Sequence, residues 1–306
     1  MRKLLLYVCF ALTMARSPHP VFAQFSDPRT YTNSPVGVNQ IELMYSYDRS
    51  NSSIDSSLIV GEAKLNLNQG IITYTRYFGV LHRLTWVEPS FPIAGVSGSI
   101  GGTNINGSVT GTGDSSYQIG MLLKGGPALS VSEFESYKPT TSVGASLTFT
   151  APTGQYDRNQ LFNLGSDRWS FKPEIGMSQP FGREQKWVID GHVNSYFYTD
   201  NRTYRGLEIL KQRALPGVEA HLSYSFNGAV WASLDTRYSF RGDTLINGVN
   251  QNDVQQNFIG GSEVNVSLNA RSTLIFVFAR ALVHENGPNS TGFAVRYDYV
   301  WGKGYR

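Results

Sequence analysis

From Val230 to Arg241 the chain alternates residue by residue. Val230, Ala232, Leu234, Thr236, Tyr238 and Phe240 share one parity, and Trp231, Ser233, Asp235, Arg237, Ser239 and Arg241 share the other. Successive strand side chains point to opposite faces, so this period of two predicts a strand with one apolar and one polar face. The stretch 215–226 repeats the scheme, with Val218, Ala220, Leu222, Tyr224 and Phe226 opposing Glu219, His221, Ser223 and Ser225. So does 168–178, where Trp169, Phe171, Pro173, Ile175 and Met177 oppose Arg168, Ser170, Lys172, Glu174 and Ser178. The final segment sets Phe293, Val295, Tyr297, Tyr299 and Trp301 against Arg296 and Asp298. Further strands are expected near 37–48, 69–79, 82–93, 115–125, 140–150, 186–199, 255–268 and 272–283, making about twelve. The segments near 69–79, 82–93 and 272–283 alternate poorly, and 57–67 reads either as an extra strand or as loop.

A soluble sandwich also alternates, but its connections differ. Here long connections near 49–68, 94–114, 151–167, 200–211, 242–254 and 284–290 are interleaved with short ones, including 79–81, 181–185, Asn227-Gly228 and 269–272. Short periplasmic turns and long outer loops are the expected layout of a bacterial outer-membrane barrel. The connection near 126–139 is too long for that rule. With both ends of the barrel in the periplasm, Phe78, Trp187, Phe226 and Trp301 fall at the inner strand ends. Tyr45, Tyr47, Phe149, Trp169, Phe197, Tyr238 and Phe293 then fall at the outer ends, giving two aromatic girdles. The fold expected is therefore all-β, a transmembrane antiparallel up-and-down β-barrel.

The first residues carry a different pattern. Arg2 and Lys3, an apolar run from Leu4 to Met14, and Val21-Phe22-Ala23 before Gln24 have the layout of a secretory signal peptide, residues 1–23, leaving 24–306 as the barrel. The single cysteine, Cys9, lies within it, so the mature chain offers no thiol ligand or nucleophile. Beyond Ala23 no apolar run reaches the ~18–20 residues of a spanning helix. The net charge of +3 also belongs to this segment, through Arg2, Lys3 and Arg16; the remainder has 23 basic residues against 23 acidic ones. Nothing in that balance points to nucleic acid.

Charges confined to one strand face belong in the lumen, because Arg or Lys facing lipid near the midplane costs ~2–4 kcal/mol. The expected lumen-lining residues are Glu42, Lys124, Arg168, Lys172, Glu174, Asp190, His192, Glu219, Asp235, Arg237, Glu263, Arg296 and Asp298. Two charged clusters are anticipated, one from Arg168, Lys172 and Glu174 and one from Asp235 and Arg237. His221 and Ser223 have the spacing of the pair used by outer-membrane phospholipases, but their parity directs them inward with Glu219. His192 and His221 lie too far apart in sequence for a recognised metal spacing. No catalytic residue, cofactor or metal is assigned, and the chain is not expected to be an enzyme.

Four stretches are familiar together: Tyr74 to Pro92, Gly111 to Gly120 with its Gly113-Asp114 step, Ala151 to Gly182 (APTGQYD, NLGSDRW and the proline of FKPEIG), and Tyr297 to Tyr305. In their order and spacing the chain resembles the meta-pathway phenol-degradation-like outer-membrane proteins, a family of proposed transporters. The resemblance implies an outer-membrane location and passage of small, aromatic or hydrophobic, organic compounds. It supplies no catalytic residues. The alternative is a plugged structural or adhesive barrel that presents surface loops. Expected partners are outer-membrane lipid and lipopolysaccharide, the barrel assembly machinery and a small-molecule solute.

Overall fold

The computed structural model describes residues 26–51, 63–102, 104, 106–160, 162–302 and 304. The expected signal peptide, the part of 57–67 before Ala63, and Tyr305-Arg306 lie outside the described residues. Twelve strands form the wall: β1 (Val38–Ser50), β2 (Ala63–Val80), β3 (Arg83–Ile100), β5 (Ser116–Lys124), β6 (Ser142–Thr150), β7 (Ser170–Phe181), β8 (Trp187–Tyr198), β11 (Leu215–Ser225), β12 (Val230–Arg241), β15 (Gln255–Ser267), β16 (Ser272–Glu285) and β17 (Thr291–Gly302). Each coincides with one of the expected segments. All neighbours are antiparallel, and the ring closes because β1 pairs with β17, Glu42 opposite Asp298, while β2 pairs with β3, Ile72 opposite Phe91. Closure leaves no sheet edge, which is how a strand structure satisfies its backbone inside lipid.

The wall is inverted relative to a soluble protein. On β12, Ser233, Asp235, Arg237 and Ser239 are buried, while Leu234, Thr236, Tyr238 and Phe240 face outward. Leu234, Ile175 and Val193 are 68%, 61% and 63% exposed. A continuous apolar exterior of this kind is at home in hydrocarbon and would be a severe liability in water. Aromatic rings border it at both ends. Trp187, Tyr224 and Phe226 pack in a row at the terminal end, with ring centroids 4.6 and 5.2 Å apart, and Tyr117 stacks on Phe149 at the other. Among the described residues no helix is long and apolar enough to cross a membrane.

Some strands overshoot the bilayer. A crossing takes ~9–11 residues, yet β2 and β3 have 18 each. Their outer halves, with β4 (Asn106–Thr112) paired to β3, rise beyond the membrane around a small core that includes Leu65, Leu67, Val96, Phe162 and Leu164. Residues 63–67 are thus the start of β2. The outer loops also form a second sheet in the order β14 (Val249–Asn250), β13 (Thr244–Ile246), β10 (Glu208–Gln212), β9 (Asn201–Tyr204).

The long connection near 126–139 has a structural reason. It carries a one-turn helix, α1 (Val131–Phe134), started by a capping box in which the Ser130 hydroxyl and Glu133 satisfy each other's backbone N–H groups. Those Ser130 hydrogen bonds hold the Glu133 carboxyl below its ordinary range. Val131 packs into an apolar cluster with Tyr31, Leu84, Trp86 and Leu122. Leu84 N–H donates to Gly126 O and Val36 N–H to Leu129 O. The turn therefore folds across the end of the barrel.

Candidate functional site: the barrel lumen

The segment before β1 does not join the wall; it runs inside it. The Ser26 hydroxyl donates to Glu174 Oε2 (2.5 Å) and its N–H to Glu219 Oε2 (2.6 Å). Asp27 pairs with Arg296 at 2.6 Å. Arg29 donates its backbone N–H to Asp190, its Nε to Ser223 and its Nη2 to Ser225, and lies 4.4 Å over the Trp231 ring. The Tyr31 hydroxyl donates to Glu174 Oε1 (3.0 Å). Both Arg29 and Tyr31 are almost wholly buried. About eight strands give an interior that wall side chains alone can fill, so a ring of twelve leaves room for this strap.

Glycines seat the strap. Gly144 on β6 and Gly176 on β7 lie directly opposite each other. A Cβ on Gly176 would come within 2.1 Å of the Tyr31 ring, and one on Gly144 within 2.4 Å. Gly120 on β5 makes the same kind of space for Trp86. No other residue permits so close an approach.

The strap ties together two charged clusters. The first lies on β7, β8, β11 and β12. Lys172 Nζ is 3.1 Å from Glu174 Oε2, Arg237 pairs with Glu219, Asn194 donates to both glutamates, and His221 Nδ1 is 2.9 Å from Asp235 Oδ1. The second lies on β1, β15 and β17, where Arg296 sits 3.7 Å from each of Glu42, Glu263 and Asp298. Beside the second cluster, on β1, β2, β15, β16 and β17, the inner wall is apolar: Met44, Ile71, Ile259, Ala279, Ala281 and Ala294 form one cluster, with Val277 against it. Between apolar wall and charges lies a small cavity of about 30 Å³. Met44, Val277, Ala279 and Ala294 give it apolar lining, and Asp27, His221, Asp235, Glu263 and Arg296 polar lining. Nearby on β15, the Asn257 and Asn265 amide groups have no hydrogen-bond partner among the described residues.

Of the residues expected inside, Glu42, Lys172, Glu174, Asp190, His192, Glu219, Asp235, Arg237, Glu263, Arg296 and Asp298 are buried on the inward parity of wall strands. Lys124 is a correction: it is exposed, because a bulge between Leu122 and Lys124 breaks the parity at the end of β5. Arg168 is buried but precedes β7 and does not join Lys172 and Glu174. Its Nη2 donates to Gln212 at 2.7 Å and its guanidinium lies 4.2 Å from the Tyr198 ring, at the outer mouth. Asp235 and Arg237 belong instead with Glu219 and His221. The lipase-like spacing of His221 and Ser223 makes no catalytic pair: Ser223 accepts from Arg29 and donates to Val188 O, while His221 turns to Asp235.

The sequence motifs of the outer loops prove architectural. Asp114 Oδ1 accepts from Gly154 N–H, and Oδ2 accepts from the Ser166 N–H and hydroxyl, at 2.8, 2.8 and 2.6 Å. That carboxylate pins the APTGQYD and NLGSDRW stretches together at the rim. Sequence reasoning missed the strap and the apolar wall. The glycines of β5, β6 and β7 on inward parity were the available trace of the strap, since a bare inner wall implies that something fills it.

Among solved structures, the chain is similar to the COG4313 outer membrane channel from Pseudomonas putida F1. That match has 23% identity, covers 90% of this chain and 100% of that one, and has a TM-score of 0.77. It is also similar to the beta domain of the Bordetella autotransporter Brka, at 10% identity over 86% of this chain and 100% of that one, with a TM-score of 0.54. No curated protein matches the sequence. These likenesses and the lipid-compatible exterior make it an outer-membrane barrel. A family model matches residues 48–297, and the chain belongs to the family described as "Putative MetA-pathway of phenol degradation".

Proposed function

We propose that the barrel is a passage for small organic molecules that carry an apolar body and a polar group, held closed in this structure by its N-terminal strap. The observation that carries this reading is the mixed apolar and charged lining of the lumen. A small cavity of about 30 Å³ beside the strap is lined by methyl and thioether groups together with carboxylates, an imidazole and a guanidinium. Ligand sites typically combine an apolar lining with a few placed polar groups. The family description names phenol degradation. The unpartnered amides of Asn257 and Asn265 lie ready for a solute hydroxyl or water.

Uptake tests this directly. Cells carrying the wild-type barrel take up a labelled phenol-class compound, at micromolar concentration, faster than cells without it. Ala279→Trp, which fills the cavity from β16, brings the rate down to that of cells without the barrel at equal outer-membrane abundance. A wild-type rate in Ala279→Trp contradicts the reading. The second reading, a closed barrel that displays its loops, draws on the sheet of β9, β10, β13 and β14 that ties the outer loops together. It predicts no uptake difference between any of these cells.

A further inference from the structure

Strands β8 and β11 are adjacent in the wall, and their register places His192 opposite Glu219 and Asp190 opposite His221. His192, Glu219 and His221 therefore project into the lumen side by side. One ligand atom from each lies within 4.8 Å of the others, and the two imidazole rings are 5.1 Å apart. His221 Nε2 is 3.8 Å from Glu219 Oε2; tetrahedral bonding at ~2.0–2.1 Å sets ligand atoms about 3.4 Å apart. Small side-chain rotations close the difference.

Two further observations point to a ligand. His192 is only 2% exposed, and neither ring nitrogen has a hydrogen-bond partner among the described residues. A buried imidazole of that kind is rare unless something else satisfies it. His221, in turn, is already oriented as metal-bound histidines are. Its Nδ1 is tied to Asp235, whose other oxygen accepts the Ser233 hydroxyl, which leaves Nε2 facing the group. For His192 the corresponding carboxylate is Glu174, with Oε1 3.7 Å from Nδ1.

We infer that His192, Glu219 and His221 form a binding site for one divalent first-row transition-metal ion inside the barrel. Two imidazoles and a carboxylate suit zinc, copper or nickel and disfavour calcium and magnesium, which take oxygen ligands. The surrounding charge accommodates a cation. Glu174, Asp190, Glu219 and Asp235 outnumber Lys172, Arg237 and Arg29. Arg237 occupies Glu219 Oε1, so the ion takes Oε2, the oxygen that accepts the Ser26 N–H. Ser26 yields that contact when the site fills.

The test uses the full chain without a histidine tag, purified in detergent and stripped of metal by a chelator. Cobalt(II) titration of the wild type gives the visible bands of a four- or five-coordinate ion, saturates at one ion per chain, and is reversed by zinc. His192→Ala and His221→Ala each abolish the bands, and Asp235→Asn weakens zinc binding by about 10–100-fold. His82→Ala and His284→Ala, at exposed positions, leave binding unchanged. Heat-modifiable migration in detergent gels checks that each variant is folded. Absence of a stoichiometric cobalt spectrum in the wild type overturns the inference, whatever the variants do. So does binding that persists in a folded His192→Ala/His221→Ala double variant.

Discussion

Removing residues 26–36 raises the single-channel conductance of the reconstituted barrel at least several-fold. The strap is the one part of the described chain that lies within the lumen without belonging to the wall. It bridges the cluster around Glu219, through Ser26 and Arg29, and the cluster around Arg296, through Asp27. The wall does not depend on it, since β1 begins at Val38 and closes on β17 through its own ladder. With Arg29 removed along with the strap, ten buried acids stand against four buried arginines and lysines, so the released current is carried mainly by cations. Gly176→Ala is the subtle form of the same experiment. The added methyl falls 2.1 Å from the Tyr31 ring and expels it from its slot, producing a smaller increase. A deletion variant that conducts like the wild type contradicts the assignment of the strap as the closure.

Two substitutions three residues apart on β12 are expected to destabilise the barrel for opposite reasons. Arg237→Ala removes the partner of Glu219 inside the wall, and breaking a buried pair in this way costs about 3–5 kcal/mol. Joint replacement by Arg237→Met and Glu219→Gln costs much less than the sum of the single changes, because no charge is then left unpaired. Leu234→Arg puts a cation on the outward face and costs about 2–4 kcal/mol in lipid, although the same change on a soluble surface would be nearly neutral. Reversible urea unfolding in lipid vesicles measures both. A neutral Leu234→Arg would mean that this face does not meet hydrocarbon.

The strands that could be read in advance were those whose two faces differ. On β12 the inner Ser233, Asp235 and Arg237 contrast with Leu234 and Tyr238, so parity alone located the lumen. On β16 it could not. Ile275, Val277, Ala279 and Ala281 point inward while Phe276, Phe278 and Leu282 point outward, and two apolar faces carry no alternation. The poorly patterned strand was thus the apolar wall of the cavity. Lys124 was misplaced because a bulge is invisible to strict period-two counting. The strap has no periodicity at all, and its contacts reach across as many as 269 residues of sequence. The pairing of His192 with the Glu219 and His221 face required the β8–β11 register. The intervening connection holds β9 and β10, and sequence gives no measure of how such a loop sets register.

The account depends most on one geometric claim, that inward and outward parities of a closed wall meet lumen and lipid. The only cysteine lies at position 9, so single cysteines at each of residues 231–240 of a chain starting at Gln24 can carry a nitroxide label without background. In lipid vesicles, collision with oxygen is predicted to peak at 232, 234, 236 and 238 and to fall at 233, 235, 237 and 239. Accessibility without this alternation, or a processed chain that stays monodisperse in water without detergent, would contradict it.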